Sequence, residues 1–93
     1  MTTVIVQHSV ADYDVWRPLF DDHATTRDAH GCRSADVYRG AEDANAITVV
    51  MEFPSLSAAQ AFGSDPSLKE AMVNGGVTGP PQISFLEAAE VSA

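Results

Sequence analysis

Apolar residues recur along this chain in two rhythms, every second position and every third or fourth, and the changes between them mark its elements. Residues 3–9 (TVIVQHS) alternate, with Val4, Val6 and His8 on one side and Ile5 and Gln7 on the other, which predicts a strand. From residue 12 to 31 (DYDVWRPLFDDHATTRDAHG) the period lengthens. At about 100° per residue, Trp16, Leu19, Phe20 and Ala24 share one side with His23 and Arg27 between them, while Asp14, Asp21 and Asp28 stack on the other. One helix is predicted here, capped by Asp12 or Asp14, with Pro18 as the place for a kink and Gly31 as the stop.

Alternation returns in residues 33–39 (RSADVYR) and 46–53 (AITVVMEF), and the polar loop 40–45 between them predicts a hairpin. After Pro54, Ser55 or Ser57 caps an alanine-rich helix ending near Gly63. Asp65-Pro66 then opens a further helical turn that Gly75-Gly76 closes. Gly79 and Pro80-Pro81 read as a turn before a last strand at residues 82–88 (QISFLEA).

The order is β-α-β-β-α-β, which predicts a ferredoxin-like α+β fold: a four-stranded antiparallel sheet with both helices on one face. The third strand is apolar on both sides, Ile47, Val49, Met51 and Phe53 against Ala46, Thr48 and Val50. No segment remains to cover the second face. A second copy of the sheet is therefore expected there, giving a homodimer that closes an α/β barrel. Size points the same way, since a chain this short buries only about 60% of its unfolded surface and gains from a partner.

Composition narrows the function classes. With 93 residues, 45% of them hydrophobic, residues 1–93 fit a single domain. Thirteen acidic residues against 5 basic ones give a net charge of −8, and no Lys/Arg run is present, which argues against nucleic acid. No apolar segment nears the roughly 18 residues of a membrane span, and MTTVIVQHS lacks the charged start of a signal peptide, so a cytoplasmic location away from membranes is expected. Cys32 has no companion at metal-ligand spacing and reads as a half-buried thiol. His23 and His30 lie two helical turns apart, about 10 Å, too far to chelate one metal. With no phosphate-binding glycine loop and no legible Ser-His-Asp or Cys-His set, neither metal nor cofactor is expected.

The run EFPSLSAAQAFGSDPSLKEAM, with GVTGPPQISFLE after it and HSVADYDVWRPLFDDHATTRDAHG before it, resembles the dimeric α/β-barrel proteins related to the antibiotic biosynthesis monooxygenases. The similarity spans nearly the whole chain. It implies the ferredoxin-like fold and a function among cofactor-free oxygenases of aromatic polyketides, cyclases, haem-degrading enzymes and members without established activity. The haem-degrading members rely on an asparagine on strand one, a tryptophan ending strand three and a histidine in the segment corresponding to LKEAM. The matching positions here are His8, Phe53 and Met72, so haem degradation is disfavoured.

His8, His23 and Arg27 are the candidate catalytic residues, with Trp16, Phe20, Tyr38 and Phe53 as candidate contacts to a substrate. A neutral imidazole beside a guanidinium accepts a phenolic or enolic proton, and the guanidinium attracts the anion that results. The plainer alternative places both residues at the helix edge, Arg27 snorkelling to solvent or paired with a carboxylate and His23 donating to a backbone carbonyl. Two classes of function follow: a cofactor-free monooxygenase or cyclase acting on an aromatic or polyketide-type substrate, or a non-catalytic dimer that binds a small apolar ligand or serves as an accessory protein. A closed cavity of several hundred Å3 lined by His23 and Arg27 favours the first, and a filled core the second.

Overall fold

A computed structural model describes residues 1–89. The elements are β1 (Thr2–Val10), α1 (Tyr13–Asp22), α2 (Ala24–Ala29), β2 (Ser34–Arg39), β3 (Ala46–Phe53), α3 (Leu56–Gly63), α4 (Pro66–Asn74) and β4 (Val77–Glu87). The strands form one antiparallel sheet in the order β2-β3-β1-β4, the ferredoxin-like arrangement.

Alternation in the central strands sets the layers. Val4, Val6 and Val10 of β1 and Ile47, Val49, Met51 and Phe53 of β3 point to the helices, and with Trp16, Ala59 and Phe62 they form the core. Their neighbours Ile5 and Val50 pair across the ladder on the open face and stay half-buried. Leu86 lies on that face too, opposite Thr3, and is 44% exposed.

Two boundaries differ from the sequence expectation. The helix predicted through residues 12–30 divides at His23, which ends α1 and begins α2, whereas Pro18 lies inside α1 without ending it. The break coincides with a local side-chain contact. In a continuous helix the Phe20 carbonyl would accept from the Ala24 N–H. Here it accepts from the His23 N–H at 3.2 Å and from Arg27 Nη1 at 2.8 Å. The second helical segment falls in two parts as expected, the first capped by Ser55, whose hydroxyl accepts from the Ala58 N–H, and the next by Asp65, which accepts from the Ser67 N–H.

The last strand is longer than predicted and takes in Gly79-Pro80-Pro81. β4 is an edge strand whose register against β1 shifts between Gln7 (opposite Gln82) and Ser9 (opposite Thr78). Residues 79–81 thus bulge past His8, where prolines interrupt no ladder hydrogen bond, and Gly79 takes the positive φ of 75°.

Candidate functional site

Between the sheet and the helices lies a cavity of about 50 Å3. The sheet contributes His8, Val49 and Met51 to its wall, the first helical pair Trp16, Phe20, His23 and Arg27, and α4 Leu68, Ala71 and Met72. His8, His23 and Arg27, drawn from a strand, a helix break and a short helix, therefore border one space.

One wall is a ladder of rings. The His8 ring meets Trp16 edge-on at 5.6 Å, Trp16 stacks on Phe20 at 4.9 Å, and the Arg27 guanidinium sits 3.9 Å above the Phe20 ring. Arg27 is only 7% exposed. Nη1 donates to the Phe20 carbonyl, and among the described residues no carboxylate lies within ion-pair distance of it. A buried cation held by one carbonyl and one aromatic face is incompletely compensated, so an anion placed beside it gains strongly. Burial lowers the Arg27 pKa, but a guanidinium remains charged in proteins.

Both imidazoles favour the neutral form. Burial holds His8 below its ordinary value, with a contact to its own backbone acting the other way. Its Nδ1 is sealed from solvent and has no hydrogen-bond partner among the described residues. For His23, burial is the main cause of a lowered pKa, and the charge of Arg27 adds to it, against a smaller opposing pull from Asp65. His23 Nε2 lies 3.0 Å from Ser67 Oγ on α4. Close by, His30 Nε2 lies 2.8 Å from Asp65 Oδ2, and that contact is the main reason the Asp65 carboxyl is held down at about 2.

Two candidate contacts lie elsewhere. Tyr38 pairs opposite Thr48 on the face turned away from the helices, where it is 57% exposed. Phe53 is fully buried, 5.4 Å from Phe62, and belongs to the core. The cavity, about 50 Å3, is also smaller than the several hundred Å3 anticipated for an enzyme pocket. Ser67 escaped sequence reasoning, since nothing local marks a hydroxyl meeting a histidine 44 positions away; His30 was weighed only as a metal ligand, and Asp65-Pro66 signalled only a helix start.

Taken together, the sheet order and the cavity beneath the helices define a ferredoxin-like α+β protein with His8, His23 and Arg27 on one mostly apolar cavity. Similar solved structures include an antibiotic biosynthesis monooxygenase, 18% identical, with a TM-score of 0.76 over 97% of this chain and 100% of that one. Rv0793 from Mycobacterium tuberculosis is 19% identical, with a TM-score of 0.70 and complete coverage of both chains at 100%. SnoaB, a cofactor-independent oxygenase from Streptomyces nogalater, is 12% identical, with a TM-score of 0.79 over 97% of this chain and 94% of that one. No protein-family model and no curated protein matches the chain. At these identities the likeness establishes the fold, that of antibiotic biosynthesis monooxygenase structures.

Proposed function

We propose that the protein is a small cofactor-independent enzyme of the monooxygenase or cyclase type, which takes up an aromatic or polyketide-type phenol or enol and removes its acidic proton. The observation that supports this most is the shared position of His8, His23 and Arg27 on one aromatic-walled cavity. The ligand O–H proton passes to an imidazole nitrogen, and the charge left on oxygen is stabilised by Arg27. With His23 Nε2 occupied by Ser67, Nδ1 is the nitrogen left to accept. Addition of dioxygen and ring-closing condensation both start from such an anion.

A cavity of about 50 Å3 falls short of the roughly 300–1,000 Å3 usual for ligands of this class. The wall that yields is α4, which has no buried residue of its own. The proposed assembly is a homodimer joined through the open sheet face, burying Ile5, Val50 and Leu86. The test uses a hydroxylated anthrone under air with dioxygen uptake as the readout. His23→Ala should lower turnover by about 100-fold or more, with the dimer unchanged by light scattering. Equal loss of folding and turnover would make His23 a structural residue. The small volume of the cavity favours one second reading, a non-catalytic binder that retains a small apolar ligand unchanged.

A further inference from the structure

We infer that ligands reach the cavity through the groove between α1 and α4, and that this groove admits them uncharged, so that the substrate is a neutral phenol or enol that ionises only after entry. The inference rests on the reading of the cavity given above. The groove has a volume of about 260 Å3 and shares His23 and Ala71 with the cavity, so these two side chains stand between the outer space and the inner one. Asp22 of α1 and Glu70 of α4 line it, and among the described residues no lysine or arginine does. Beyond His23 the sign reverses, because the inner cavity holds the buried guanidinium of Arg27 with no carboxylate in ion-pair range among the described residues.

A site that drew anions from bulk solvent would carry its positive charge at the mouth, where it steers encounter. Here the mouth is acidic and the cation lies inside. The arrangement imposes an order of events. The neutral ligand enters, its O–H bond breaks with the proton moving to His23, and the electron pair stays on the oxygen beside Arg27. Since His23 borders both spaces, the proton leaves by the groove, where Asp22 and Glu70 favour its passage to solvent. An anion of the same shape must pass both carboxylates first.

Benzamide and benzoate, matched in shape and different in charge, test this. Trp16 is the chain's one tryptophan and lines the cavity, so its fluorescence in a stopped-flow instrument reports entry. The readout is the association rate, because Arg27 favours the anion once it is inside. At neutral pH benzamide should enter about tenfold faster than benzoate, and added salt should speed benzoate alone. Asp22→Asn with Glu70→Gln should close most of the gap. Asp14→Asn with Asp28→Asn, which removes the same formal charge from other exposed positions, should leave it open; all four carboxylates are exposed. Equal rates in the unmodified protein, or a gap closed equally well by the remote pair, would overturn the inference while leaving the cavity a ligand site. A Trp16 signal that responds to neither compound would overturn the reading of the cavity, and the inference with it.

Discussion

Replacing Arg27 by methionine separates a residue kept for function from one kept for stability. The guanidinium is 7% exposed, and removing such a charge from water costs several kcal/mol after relaxation. Two contacts offset this. The 2.8 Å hydrogen bond from Nη1 to the Phe20 carbonyl contributes about 1.5–3 kcal/mol as a charged donor. The 3.9 Å stack on the Phe20 ring contributes about 0.5–2 kcal/mol. Gain and cost nearly cancel. Methionine keeps most of the apolar stem, and the Phe20 carbonyl retains the His23 N–H as a donor. Arg27→Met should therefore change the unfolding free energy by no more than about 1 kcal/mol, or raise it, as happens when buried charges give way to apolar groups. Urea unfolding followed by Trp16 fluorescence measures this, at fixed protein concentration because self-association alters apparent stability. In a thermal scan the midpoint should stay within about 8 °C of the unmodified protein. A loss above about 2 kcal/mol would refute the reasoning and make Arg27 a structural tie at the α1–α2 junction.

Phe53→Ala should cost about 3–5 kcal/mol in the same unfolding assay, since the ring is fully buried against Phe62; a cost under about 1 kcal/mol would return Phe53 to the list of ligand contacts. Gly75→Ala should cost about 1–3 kcal/mol, because a Cβ there would stand 2.9 Å from Trp16 Cδ1 and force that ring to shift. Acid should destabilise the protein in two windows. The folded His8 and His23 bind protons less readily than in the unfolded chain, so stability falls as pH drops below 6.5, and His8→Gln with His23→Gln should flatten that limb. Asp65 is held at about 2 against an ordinary 3.8, so its contribution is complete above 3.8 and is lost as pH falls toward 2; Asp65→Asn should remove that second slope.

Much of the architecture was legible because it rests on residue parity. The alternation of Val4, Val6 and His8 with Ile5 and Gln7 already states which face of β1 meets the helices, and in β3 the set from Ile47 to Phe53 does the same. Parity in β2 also carries the information that sets Tyr38 apart, since Val37 and Ala35 pack against the core while Tyr38 and Asp36 share the opposite face. The features that were not legible depend on side-chain contacts and on position in the sheet. The break at His23 depends on a side chain, Arg27, capturing a carbonyl one helix earlier. The extension of β4 through two prolines depends on its being an edge strand with a bulge. The contacts of Ser67 with His23 and of Asp65 with His30 join positions 44 and 35 apart, which no local pattern announces.

The central claim is that the cavity takes up an acidic aromatic ligand and holds it as its anion. Difference absorption spectroscopy of para-nitrophenol, at a pH below its own pKa, tests this most directly because the ionised form absorbs at longer wavelength. The bound compound should show the phenolate band with the unmodified protein, and Arg27→Met should lose that band while remaining folded. Binding of para-nitrophenol in its neutral form to the unmodified protein would contradict the claim.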